Sequence, residues 1–156
     1  MEAEKKPWGY LEEIGRQHYS CEGVVNAVLA RQVRARINPG GFSSIHRHNE
    51  QSNDFYVLSG QLWLREFRLD GAVPVQIGSQ VMLEPNDHPL HFAAGHIHQF
   101  EAETAVVLLE IYVATPGGSA VPEDIERFSE NGVRPDGYVP PGTVVSVRAR
   151  FGGCAV

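Results

Sequence analysis

An all-β domain, built as an antiparallel sandwich or barrel, is the fold this sequence predicts, and three observations predict it. Short segments rich in β-branched and aromatic residues recur along the chain, separated by Gly, Pro, Asn or Asp. With 16 Gly and 10 Pro, the chain carries the turn residues of a β-rich fold rather than those of a helical bundle. Its 156 residues suit one domain with a real core, and no repeat, low-complexity tract or linker divides them.

The elements follow in order. Residues 1–23 read as an N-terminal arm, about 24–114 as the barrel core, and 115–156 as a C-terminal extension of the same domain. In "VVNAVLARQVRARI" (24–37) the second half alternates: Val33, Ala35 and Ile37 fall on one face, Arg34 and Arg36 on the other. A period of two marks a half-buried strand, and "NPGG" ends it with a turn. "FSSIHRH", "DFYVLSGQLWLREFRL", "VPVQIGSQVML", "PLHF", "IHQFEA" and "TAVVLLEIYVA" supply the further strands. After the barrel, "PEDIERF" predicts a short helical turn, because Pro122 and the two acids behind it suit a helix start. The Pro- and Gly-rich tail holds one strand-like run, "TVVSVRAR", able to pair with the domain or with a partner subunit.

Charge and cysteines narrow the function classes. A formal charge of -6 gives no general attraction to nucleic acid or anionic lipid, so neither is expected as a partner. Cys21 and Cys154, near opposite ends, make neither a disulfide framework nor a Cys-x-x-Cys metal pair. "MEAEKKPWGY" has no apolar signal-like core and no apolar run approaches a membrane span, which makes a cytoplasmic location the expectation.

The chemistry concentrates in the histidines. On a strand, His46 and His48 project to the same side while Arg47 points away. Two imidazoles on one face, joined by a third group from a neighbouring strand, can hold a divalent metal such as Zn, Fe, Ni or Cu. "AAGHIHQF" offers that group, with His96 and His98 at the same spacing behind a Gly turn. A lone His-x-His is commonly a surface accident; two such pairs on predicted strands, each near a Gly turn, favour metal.

At these residues the sequence resembles the cupin family, over roughly residues 33–114. "GGFSSIHRHNEQSNDFYVLSG" supplies Gly40, His46, His48 and Gly60 at the intervals of the first cupin motif, and "AAGHIH" supplies Gly95 and His98 of the second. Ala93 stands where the second motif usually has Pro, and Asp87 where it usually begins with Gly. The resemblance implies a jelly-roll barrel binding a divalent transition metal (Zn, Fe, Ni or Mn) through His46, His48 and His98. The family's fourth ligand, a Glu, falls on Asn53, whose carbonyl oxygen is a weak neutral donor. Asp54 carries a charge but belongs to the opposite face, and Glu50 and Gln51 lie in the connecting loop. A homodimer is a further implication, since many cupins exchange terminal strands.

Flanking segments narrow the resemblance. "KPWGYLEEI", "LLEIY" and "EDIERF" look like segments of cupin-type mannose-6-phosphate isomerases, in the same order, although those proteins carry a Glu where this chain has Asn53. Aldose–ketose interconversion needs a general base and a group that polarises the carbonyl. Glu110, alone in the apolar "VVLLEIYV", is the candidate base, or else a strand-end acid paired with an arginine. Tyr56 and Tyr112 are able to donate hydrogen bonds, Tyr56 being the catalytic candidate with Glu110, although strand tyrosines more commonly pack in the core. Arg34 and Arg36 read as a solvated strand face more readily than as an anion site. The expected protein is a metal-binding cupin acting on a small polar metabolite, an isomerase or epimerase of a sugar or sugar phosphate. An iron-dependent dioxygenase with three neutral histidines, and a non-catalytic binding domain, are the alternatives.

Overall fold

The computed structural model describes residues 2–19, 27–135 and 144–146, the last three as backbone. Cys21, Cys154, the start of the 24–37 run and all of "TVVSVRAR" except Val144–Ser146 lie outside this range.

Among the described residues the chain is all β, in two sheets. The first is six-stranded and runs β1 (Glu4–Lys6), β2 (Gly9–Tyr19), β3 (Ala27–Ile37), β11 (Val106–Ala114), β6 (Gln51–Ser59), β9 (Leu90–Phe92). The second runs β12 (Glu126–Arg127), β5 (His46–Arg47), β10 (Ile97–Ala102), β7 (Leu62–Asp70), β8 (Val73–Leu83), β14 (Val144–Ser146). The short strands β4 (Gly41–Phe42) and β13 (Gly132–Val133) pair with each other, and β4 also with β10. Every pairing is antiparallel except β14 on β8, where the described part of "TVVSVRAR" joins the body of the domain in parallel. Central strands that each follow a non-sequential neighbour, closed over one core, make a jelly roll.

One local expectation differs. "PEDIERF" forms a turn at Pro122–Glu123 and then β12, not a helical turn. Its backbone groups go instead to β5, with Glu126 opposite Arg47 and Arg127 opposite His46.

The period-two patterns set the core. Ala35 and Ile37 on β3, Phe55 and Val57 on β6, Leu62 and Leu64 on β7, Phe100 and Ala102 on β10, and Leu108 on β11 fill the space between the sheets. Burying each large side chain there contributes about 1.5–3 kcal/mol. Gly60, at φ 86°, turns the chain from β6 in one sheet to β7 in the other, and a Cβ there would stand 2.1 Å from the Ala105 carbonyl oxygen.

Inward-facing residues change character along the strands. On β3 they pass from Ile37 and Ala35 to Val33 and Arg31; on β6 from Val57 and Phe55 to Asn53 and Gln51. On β10 they pass from Ala102 and Phe100 to His98, and on β11 from Leu108 to Glu110 and Tyr112. The registers bring the polar ends together, because Tyr112 pairs with Arg31 on one side and with Asn53 on the other. The barrel is therefore packed with hydrocarbon at one end and lined with polar groups at the other.

Candidate metal centre and active site

His46 lies on β5 directly opposite His98 on β10, and His48 follows β5 on the same side. Gly95, at φ 85°, turns the chain into β10, and its N–H donates to the His48 carbonyl at 2.6 Å. The ring centroids stand 4.6 Å apart for His46–His98, 5.1 Å for His46–His48 and 5.8 Å for His48–His98. One ring nitrogen from each comes within 4.8 Å of the others.

Hydrogen bonds fix which nitrogen that is. The Nδ1–H of His46 donates to the Ser44 carbonyl (2.7 Å), that of His48 to the Asp124 carbonyl (2.5 Å), and that of His98 to the His96 carbonyl (3.1 Å). A carbonyl oxygen only accepts, so all three Nδ1 atoms carry the proton and all three Nε2 atoms offer a lone pair. The Nε2 atoms of His48 and His98 are buried with no hydrogen-bond partner. Burial also keeps the rings neutral. It pushes His46 down to about 3, helped by neighbouring His48, and lowers His48 and, well below the usual value, His98. Neutral imidazoles with converging, unsatisfied nitrogens form a donor set that fits a divalent transition metal.

The supports of these ligands come from far along the chain. Asp124 holds His48 through its carbonyl, while its carboxylate accepts the N–H groups of Asn49 (2.9 Å) and Glu50 (2.8 Å). The "EDIERF" segment thus positions a ligand. His96 is exposed, with its ring 3.8 Å from Glu66, and gives the site its carbonyl, while His91 pairs at the surface with Asp54 at 2.6 Å.

Glu110 faces the cavity end of the barrel and is buried, 3% exposed. Its Oε2 accepts hydrogen bonds from the Tyr112 hydroxyl (2.6 Å) and from Asn53 Nδ2 (3.0 Å). Burial raises its carboxyl above the usual range, opposed by those two hydrogen bonds. Tyr112 is held well above its usual value by burial and by Glu110, and stays a phenol. Its ring lies edge-on to His48 at 5.2 Å, which links the carboxyl group to the histidines.

The other expected site residues divide. Asn53 is inward, with one amide end on Glu110; its Oδ1, like Gln51 Oε1, is buried with no hydrogen-bond partner. Tyr56 is on the other face. Strand alternation places it with Asp54, opposite Phe55 and Asn53, so the phenol beside Glu110 is Tyr112 and not Tyr56. Arg34 pairs on the outer face with Glu12 at 2.5 Å. Arg31, not singled out from the sequence, is buried at the site with its guanidinium 4.4 Å over the Tyr112 ring. Its signal was present: it shares parity with Val33, Ala35 and Ile37, and a cation on a buried strand face marks a polar cavity.

A cavity of about 120 Å³ opens here, lined by His46, His48, Glu110, Tyr112 and Arg31, with Lys6 and Arg127 also on its wall. It can take a small polar molecule between the histidines and the Glu110–Tyr112 pair.

No family profile and no curated protein matches this chain. Solved structures do. Bacillus subtilis oxalate decarboxylase superposes with a TM-score of 0.57 at 16% identity, covering 81% of this chain and 29% of that one. A further structure of that enzyme, studied for its Mn(II) centres, gives 0.56 at 14% identity, over 81% and 30%. CapF, bound to the inhibitor 3-isopropenyl-tropolone, gives 0.59 at 14% identity, over 81% and 33%. The chain spans about a third of the length of these proteins. At such identities the likeness is one of fold, and that fold is the cupin fold. The chain is a cupin-fold domain with a three-histidine site that fits a divalent metal. The likeness lends nothing to the isomerase resemblance of the flanking segments.

Proposed function

We propose that this protein is a metal-dependent cupin enzyme moving a proton on a small polar metabolite, as an isomerase or epimerase of a sugar-like hydroxycarbonyl compound. The observation that carries this reading is Glu110: a buried carboxyl group with raised proton affinity, on the wall of the cavity that holds the histidines. Enzymes tune a general base in this way.

His46, His48 and His98 would hold the metal through Nε2, with Asn53 Oδ1 or Gln51 Oε1 as neutral candidates for a fourth donor. A bound metal supplies Lewis-acid polarisation of a substrate carbonyl. Glu110 takes the proton from the carbon beside that carbonyl and returns it to the neighbouring carbon, or to the other face of the same one. Both hydrogen bonds to Glu110 fall on Oε2, which leaves Oε1 for the substrate. Tyr112 and Asn53 orient the carboxylate and stabilise it once ionised. Val33 and Phe55, the buried register neighbours of Glu110 on β3 and β6, flank the base with hydrocarbon.

The test is hydrogen exchange in D₂O, followed by NMR, with metal-loaded protein and a panel of aldoses, ketoses and their phosphates. Deuterium should enter at the carbon beside the carbonyl of one responsive compound, and Glu110→Gln should slow that at least about 100-fold. Activity should rise with pH through a limb above the ordinary carboxylate value, because the base form appears only above the raised pKa. Exchange that proceeds unchanged in Glu110→Gln contradicts the role of this residue.

One observation favours a second reading. The convergent ligands are three neutral nitrogens with no carboxylate among them, a donor set that also suits oxygen-activating iron. Oxygen consumption by the iron-loaded protein with thiol or diketone substrates supports that reading; an isomerase consumes none.

A further inference from the structure

Two buried arginines in this domain are held differently, although each keeps one buried nitrogen without a hydrogen-bond partner. Arg65 is 4% exposed, and its guanidinium donates to Gln80 (2.9 Å), Gln99 (3.3 Å) and Glu101 (2.8 Å). Arg31 is 5% exposed and donates no hydrogen bond to any described residue. Its nearest carboxylate, Glu13, stands 3.8 Å from Nη1 and is already engaged by both arms of Arg16, at 2.6 and 2.8 Å. Arg31 Nε is buried and unpartnered, and the Tyr112 ring covers the guanidinium at 4.4 Å. A guanidinium presents five donors in a planar fork matched to carboxylate and phosphate oxygens. Burying its Nε–H without a partner, with Glu13 too far to accept a hydrogen bond, is costly unless a ligand completes the fork.

The surroundings say what kind of ligand that is. Arg31 shares the cavity wall with His46, His48, Glu110 and Tyr112, and Lys6 and Arg127 add positive charge in a chain whose net charge is -6. Lys6 is paired at 2.5 Å with Glu4, the one other acid on that wall. Resting on the reading of this cavity as a substrate site, we infer that the metabolite carries an oxyanion, a carboxylate or a phosphate, that docks on Arg31. With about 120 Å³ of space, comparable to the roughly 150 Å³ engineered cavity that holds benzene, the enclosed part of the ligand is compact. The anion on Arg31 and the reacting carbon near Glu110 are then separated by little more than the Tyr112 ring.

The test uses metal-free protein, so that it stands apart from the histidine reading. Inorganic phosphate and malonate are titrated separately while the Arg31 Nε–H and neighbouring backbone signals are followed by NMR. One of the two should shift the Arg31 Nε–H signal saturably, and which one does identifies the group. Arg31→Gln should weaken that binding at least tenfold, and Arg31→Lys, which keeps charge but lacks the fork, should recover part of it. Absence of a shift with both anions in the wild-type protein overturns the inference, and so does unchanged binding by a folded Arg31→Gln. Zinc stoichiometry of the wild-type protein, measured separately, tests the metal reading alone; a protein that binds zinc but neither anion leaves the metal site standing and removes the docking role.

Discussion

Asp124 shows how much of the site rests on single contacts. One residue, 76 positions from His48 in sequence, fixes that ring through a carbonyl and pins the following turn through a carboxylate. Groups that orient metal-binding histidines commonly govern affinity about 10–100-fold. Asp124→Ala keeps the carbonyl that holds His48 and removes only the carboxylate that pins the turn, so it should lower zinc affinity by about 10-fold at most in a competition titration with a chelator. Leaving the Asn49 and Glu50 N–H groups without their partner should also cost about 1–3 kcal/mol in urea unfolding. Unchanged zinc affinity in a folded variant would show that the turn holds itself. Such a contact cannot be seen in a sequence, since it joins a ligand to a main-chain oxygen in another part of the fold.

At the scale of the element, strand parity makes most of the site legible, and the one misplaced site residue, Tyr56, is one that parity itself excludes. His46 and His48 share a face, as the period of two requires, and His98 follows its Gly turn as expected. The same rule that turned Asp54 away from Asn53 applies equally to Tyr56, and it moves Arg31 inward with Val33 and Ala35. "PEDIERF" misled because Pro and acids at a helix start resemble a turn whose acid serves a different segment. β6 joins core to site: Phe55, fully buried, meets Phe92 edge-on at 5.7 Å and the His98 ring at 5.7 Å. Phe55→Ala should cost about 3–5 kcal/mol in chemical denaturation. It should also weaken zinc binding, because His98 loses one of the two phenyl rings that pack on it, the other being Phe92, stacked at 4.5 Å. A loss below about 1 kcal/mol would mean that the two sheets do not share this core.

For the molecule as a whole, the buried imidazoles tie stability to pH and to metal. In the unfolded chain a histidine takes up its proton near 6.5, whereas folded His46 stays neutral down to about 3. Between those values the unfolded state holds more protons, so stability rises with pH. Metal-free protein should have its full histidine contribution above pH 6.5 and lose it as the pH falls toward 3. Glu110 works in the opposite sense, since its raised carboxyl contributes less as the pH climbs through its folded value. Thermal unfolding of metal-free protein across this range checks the sign; a midpoint that stays flat from pH 7 to 4 contradicts it. Free zinc at about 100 times its dissociation constant should add about 2.7 kcal/mol. Among the described residues no helix is long and apolar enough to cross a membrane, and the sheets close over their own core.

Long-range ¹H–¹⁵N NMR of the histidine rings, before and after one equivalent of zinc, tests the central claim most directly. The arrangement requires three rings that keep Nδ1–H and shift at Nε2 on zinc addition, with the remaining histidines unmoved. Zinc that leaves those three rings unchanged, or that binds through Nδ1, contradicts it.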